Sequence, residues 1–226
     1  MTSFKRARSE EQRVERRRQI LDTAAAMLAE MPASQISLNA LSRRACLAKS
    51  NVLRYFESRE AVLLELLTRA AWERLAAMTQ ALEQAVDPGK GPRERGDRLA
   101  ATIADSLAAD PQLCDLVSVQ ASVLEHNVSP ALAAEHKHET HKLVERFSAI
   151  VFTHMPELGP QDAAWFARAV VMEVGTMWIY SQPSAAVLAA YAANPELAAL
   201  QPDFASSLRE TLEVLLAGLL ARGKAH

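Results

Sequence analysis

The chain has 226 residues, half of them hydrophobic, which is enough for a sizeable core in one large domain or in a small and a larger one. Its net charge of −2 excludes a uniformly basic or acidic protein, and two cysteines, Cys46 and Cys114, are too few for a disulfide framework, which points to a reducing, cytoplasmic setting. No run of 18 apolar residues occurs and residues 5–19 are too charged for a signal peptide, so neither a membrane span nor secretion is expected.

Ala and Leu dominate while β-branched residues are thin, so an all-α fold of about nine to ten helices is expected. Residues 1–12 are polar and read as a mobile basic arm carrying Lys5, Arg6 and Arg8. From about Arg13 a first helix begins, with Ile20, Leu21, Ala24, Met27, Leu28 and Met31 on one face and Pro32 as its stop. Ser37 offers an N-cap to a short second helix whose apolar side is Leu38 and Leu41. Ala45, Cys46 and Leu47 read as a tight break. A third short helix runs from about Lys49 to Tyr55, with Val52 and Phe56 facing inward.

Ser58 caps a long fourth helix, with Glu60 in its first turn, where the helix dipole favours an acid. That helix carries Val62, Leu63, Leu66, Leu67, Leu75 and Met78. The stretch 87–92, Asp-Pro-Gly-Lys-Gly-Pro, is the clearest linker. Further helices are expected at about 93–109, 111–125, 129–154, 160–181, 184–193 and 203–222. The last has a stripe of Leu208, Leu212, Leu215, Leu216, Leu219 and Leu220.

Charge is distributed unevenly. Residues 1–60 carry twelve Lys and Arg against seven Asp and Glu, and the remainder has a surplus of acids. A basic head on an acidic body suits a polyanionic partner for the head alone. Three short helices in that head, the second and third closely joined, form a helix-turn-helix candidate. The domain division expected is therefore 1–60, a DNA-binding head, and 61–226, a helical body.

The segment 37–62 resembles the DNA-binding domain of the tetracycline-repressor (TetR) family. The match rests on Ser37, Leu41-Ser42, Ala45-Cys46-Leu47, Leu53-Arg54-Tyr55-Phe56 and Ser58-Arg59-Glu60-Ala61-Val62. The resemblance implies that the helix from Lys49 is the recognition helix, with Lys49, Ser50 and Asn51 at base edges. Lys can donate to guanine and Asn can pair with adenine in the major groove. Asn39 matches a position that reads a base in some relatives. Ser37, Tyr55 and Arg59 match positions that hold phosphates, and Arg43, Arg44 and Arg54 are further candidates. Three departures stand out: Cys46 replaces the usual turn Gly, Ala48 the usual cap Ser, and Leu53 a Tyr that commonly donates to phosphate. The first implies a non-Gly residue in left-handed conformation, at a cost of about 1 kcal/mol.

The resemblance further implies a C-terminal ligand-binding and dimerisation domain, with helices 160–181 and 203–222 pairing with their mates in a homodimer. Candidate lining for an effector pocket is Trp72, Met78, Val119, Val123, Phe147, Met172 and Met177, with Gln120, His126 and Glu173 as polar anchors. The function expected is a ligand-responsive transcriptional regulator, a repressor releasing a palindromic operator when a small molecule binds. The alternative is a helical small-molecule-binding protein or enzyme with a helix-turn-helix-like head and no operator affinity. No cofactor, metal or enzymatic activity is expected. His136, His138 and His141 do not converge on one helix face, and no phosphate loop or hydrolase motif is present.

Overall fold

The computed structural model describes the backbone of residues 2–223 and the side chains of 11–194 and 196–223. Among the described residues there is no strand. Eleven helices follow in order: α1 Thr2–Leu28, α2 Leu38–Arg44, α3 Lys49–Leu53, α4 Arg59–Ala85, α5 Pro92–Ala108, α6 Pro111–Val119, α7 Pro130–His154, α8 Gly159–Ser181, α9 Ala185–Ala193, α10 Pro195–Ala198 and α11 Phe204–Gly223. The chain forms two compact units. One comprises Met1–Arg69 with Val119–Lys137, the other Ala70–Ser118 with His138–His226.

Element boundaries follow local chemistry. α1 includes residues expected to be an arm, since neither Gly nor Pro interrupts the chain before Pro32. The side chains of Lys5, Arg6 and Arg8 lie outside the described residues. α2 starts where the Ser37 hydroxyl accepts from Ala40 N–H at 3.1 Å, and α4 where the Ser58 hydroxyl accepts from Ala61 N–H at 3.1 Å. α5 begins with Pro92 at its first position, where the missing N–H costs nothing. α6 stops six residues before its expected end. It gives way to a π-helical turn over Gln120–Leu124, closed by Glu125 N–H to Gln120 C=O at 3.1 Å. The one-turn α10 was not expected, and its four residues are too few to show a period.

In the first unit, Ile20, Ala24 and Met27 of α1 are buried with Leu41 of α2, Val52 of α3 and the apolar face of α4. In the second, α11 packs against α5 and α8. Leu208, Leu212, Leu216 and Leu219 of the expected leucine stripe are buried, as are Leu99 and Ile103 of α5 and Phe166, Val170 and Val174 of α8. Arg95, itself buried, ties α5 to the end of α7. Its guanidinium donates to the carbonyls of Lys90 and His154 at 3.1 and 2.7 Å and pairs with Glu157. A buried guanidinium is tolerable only when its donors are met in this way. Among the described residues no helix is long and apolar enough to cross a membrane.

Candidate nucleic-acid interface

The turn between α2 and α3 sets the whole site. α2 ends at the cap Ala45. Cys46 then takes φ 54°, the positive-φ non-glycine residue among those described. Cys46 N–H donates to Arg43 C=O at 3.1 Å, and Leu47 N–H to Ser42 C=O at 2.9 Å. These two bonds are the Schellman pattern, which normally places glycine at the left-handed position. The strain foreseen for Cys46 is thus present. Ala48 opens α3 without any side-chain cap bond. Two substitutions should therefore stabilise the fold. Cys46→Gly removes the left-handed penalty and gains up to about 1 kcal/mol. Ala48→Ser adds a cap and gains about 1 kcal/mol. Each should raise the thermal midpoint by roughly 2–4 °C, and an unchanged midpoint for both would contradict this account of the turn.

α3 shows two faces. Val52 and Phe56 are buried, while Lys49, Ser50, Asn51, Leu53 and Arg54 are exposed. Tyr55 and Phe56 both donate their N–H to the Val52 carbonyl, at 3.0 and 3.1 Å, so the helical turn continues tightly past Leu53. Among the described residues Lys49, Arg43 and Arg54 have no ion-pair partner, and their charge is open to an external anion. Asn39 is exposed on α2, and Ser37 is exposed with its hydroxyl engaged in the cap.

Two expected phosphate contacts have internal duties. Arg59 donates to Ile36 C=O at 2.9 Å and pairs with Glu60 at 2.9 Å, fixing the start of α4 to the loop before α2. Arg44 pairs with Glu30, which raises the guanidinium pKa and lowers that of the carboxyl. Tyr55 is half-buried, and its carbonyl accepts from Arg17 at 2.7 Å. Arg17 itself was not singled out from sequence. Its guanidinium lies 4.2 Å from the Phe56 ring centroid and also binds Glu65, stapling α1 to the end of α3 and to α4. The available signal was its place on α1 one helical turn before Ile20 and Leu21, bordering the apolar face.

The candidate effector residues are dispersed. In the second unit Met78 and Phe147 are buried, Trp72, Glu173 and Met177 are half-buried, and Met172 is exposed. In the first, Val119, Gln120 and Val123 are half-buried and His126 is exposed. Gln120 is drawn into a polar cluster that sequence reasoning did not assemble. Its amide nitrogen lies 3.0 Å from His136 Nε2 and donates to Glu125 at 2.8 Å, while Thr68 Oγ1 lies 3.5 Å from His136 Nδ1. Lys137 completes the group by pairing with Glu125 at 2.8 Å. Burial of the Glu125 carboxyl opposes its ionisation, yet the bonds from Lys137 and Gln120 prevail and lower its pKa.

Burial pushes His136 below its usual value of 6.5, only partly offset by Glu125. The unfolded chain therefore binds this proton more readily than the folded one. Stability should fall as pH drops below about 6.5 towards the lower native value. His154, lowered mainly by burial, acts in the same direction. The thermal midpoint of the wild type should decrease between pH 7 and 5.5, and His136→Gln should flatten part of that decline. An identical slope in the variant would show that His136 stays neutral or charged in both states alike. Cys114 is buried and donates to Leu107 C=O, and burial pushes its thiol up to about 12, far from reactive. Among the described residues no group of three or more His, Cys, Asp or Glu is arranged to hold a metal.

A three-helix head whose third helix is anchored by Val52 and Phe56 and turns free polar and cationic groups outward defines a helix-turn-helix DNA-binding protein. Residues 20–66 match the model of the bacterial regulatory proteins of the tetR family, and residues 68–223 match that of the tetracyclin repressor-like C-terminal domain. The chain belongs to the TetR family. It is a ligand-responsive, DNA-binding transcriptional regulator.

Solved structures share this fold. The fatty acid degradation regulator FadR from Bacillus halodurans is 15% identical with a TM-score of 0.53, the alignment covering 90% of this chain and 96% of that one. FadR from Bacillus subtilis, in complex with stearoyl-CoA, is 16% identical with a TM-score of 0.53, covering 88% of this chain and 97% of that one. The TetR family regulator PfmR from Thermus thermophilus is 20% identical with a TM-score of 0.50, covering 88% and 97%. No curated protein sequence matches this chain.

Proposed function

We propose that the protein is a cytoplasmic repressor that binds a palindromic operator as a homodimer and releases it when a small molecule binds. Residues 1–60 read the DNA, and residues 61–226 dimerise and respond to the effector. The change from one matched family model to the next between residues 66 and 68 supports a division of this kind. The observation that carries the reading is the outward face of α3, where Lys49, Ser50 and Asn51 are exposed while Val52 and Phe56 hold the helix from behind. Lys49, Ser50 and Asn51 meet base edges, with Asn39 beside them. Ser37, Arg54, Tyr55 and the exposed edge of Arg59 meet phosphates. Leu53 offers no hydroxyl, and its exposed apolar surface suits a thymine methyl.

The homodimer forms through α8 and α11. Trp165, Met172 and Ile179 lie seven residues apart along α8 and are exposed. That spacing is an apolar seam of the kind that pairs helices. On α11, exposed Val214 lies near Ala217, Gly218 and Ala221, small residues that allow close approach. The effector is a small molecule bound in the C-terminal half. Stearoyl-CoA, present in the Bacillus subtilis FadR structure, belongs in the first screen.

Selection of bound duplexes from a random pool tests the reading. An inverted repeat is expected, with half-site centres about one DNA turn apart or a multiple of it. Affinity for it should fall steeply with salt. Enrichment of no sequence, or of single half-sites only, would refute it. An effector that weakens operator binding must itself be bound more weakly, by the same factor, when operator is present.

A further inference from the structure

Of the twelve large hydrophobic side chains exposed among the described residues, nine lie between Trp165 and Val214, so the uncovered apolar surface is concentrated in one part of the chain. Three of the nine form the α8 seam. Four others, Val187, Leu188, Leu197 and Leu200, belong to the segment between α8 and α11. That segment has an unusual helix. α9, Ala-Ala-Val-Leu-Ala-Ala-Tyr-Ala-Ala, is apolar on every side and buries none of its residues. It is properly capped, with the Ser184 hydroxyl accepting from Val187 N–H at 3.3 Å. Its chief neighbour is the single turn of α10.

A helix that is hydrophobic all round is normally buried, and nine residues are too few to be stable alone in water. A cover from outside the subunit would resolve both features. The chemistry of the cover is constrained. From Gln182 to Pro195 no residue is charged. DNA and anionic membranes are poor partners, because both select cationic side chains. An uncharged apolar surface fits α9, and this chain provides one. The segment leaves α8 directly after exposed Ile179 and Tyr180, so it continues the apolar seam assigned above to dimerisation. Three large side chains on α8 and one on α11 are also a small apolar centre for a stable dimer, which buries about 800 Å² per partner.

We propose that residues 184–201 form an arm that lies across the partner subunit, with Val187, Leu188, Leu197 and Leu200 completing the homodimer interface. The proposal rests on the homodimer reading, and its test separates the two. Sedimentation over a range of concentrations should show wild-type dimers. Leu188→Glu combined with Leu200→Glu should weaken dimerisation by about tenfold or more, with unchanged helicity by circular dichroism. Met172→Glu, in the α8 seam, serves as the comparison. Weakening by Met172→Glu but not by the arm variant would sink the arm and leave the dimer intact. A wild type that is monomeric throughout would sink both.

A benzophenone amino acid at position 188 gives an independent readout. Ultraviolet light should yield a covalent dimer whose cross-linked peptide lies in α8 or α11 of the other copy. Adducts solely within one subunit, or wild-type binding to neutral phosphatidylcholine vesicles that is lost in the arm variant, would overturn the proposal.

Discussion

Asn51→Ala should lower affinity for the selected operator by about 10- to 100-fold while leaving binding to unrelated duplexes nearly unchanged. The asymmetry follows from where Asn51 sits. It is exposed, and its side chain makes no hydrogen bond among the described residues, so its loss removes no internal contact. Alanine is also the better helix former. What disappears is an amide able to bond an adenine edge in two places, worth about 1–3 kcal/mol of discrimination. Non-specific binding comes mainly from cations on phosphates and should survive. Lys49→Ala is the contrasting variant, because it removes a charge as well as a donor. It should weaken binding to both kinds of duplex, but the operator more than the unrelated one, because a base-edge donor is lost together with the charge. Fluorescence anisotropy with operator and scrambled duplexes at several salt concentrations checks both. Equal losses on the two duplexes for Asn51→Ala would remove this residue from the base-reading set.

Phe56→Ala should destabilise the head by about 3–5 kcal/mol, the range for emptying a buried aromatic site. Phe56 is only 4% exposed, and the Arg17 guanidinium covers its ring. Truncation leaves a cavity and also deprives Arg17 of one of its three holds. The others are Tyr55 C=O and Glu65. Because these holds fix the end of α3, the recognition face should loosen together with the core. The thermal midpoint should drop by roughly 6–20 °C, with operator affinity lost before the C-terminal helices unfold. Arg17→Met is a milder control. Its side chain is 43% exposed, and solvent-screened ion pairs contribute little. If Phe56→Ala and Arg17→Met shift the midpoint equally, the anchor is the ion pair and not the aromatic core.

Much of this structure is local, and local features were legible. The caps at Ser37 and Ser58 involve a hydroxyl and an N–H three residues apart. The strained turn at Cys46 follows from a pattern that usually holds glycine. The inward positions of Val52 and Phe56, and most of the leucine stripe of α11, follow from spacing along one helix. In the candidate site, sequence identified the outward face of α3 and its basic surroundings. It could not show that Arg44 and Arg59 are already partly committed to Glu30, Glu60 and the Ile36 carbonyl.

By itself, then, the amino-acid order determined that the protein is helical, where most helices start and stop, and which face of each is apolar. Those properties depend on propensity, capping and periodicity, which act within one or two helical turns. Only the tertiary structure decided which charges are spent internally and which stay open to solvent. Arg17 meets Glu65 across 48 positions, and Thr68 meets His136 across 68. Such pairs form because packed helices bring their surfaces together, and no local period encodes them. The same holds for α9: its composition suits a buried helix, and only the fold shows that its own subunit leaves it uncovered.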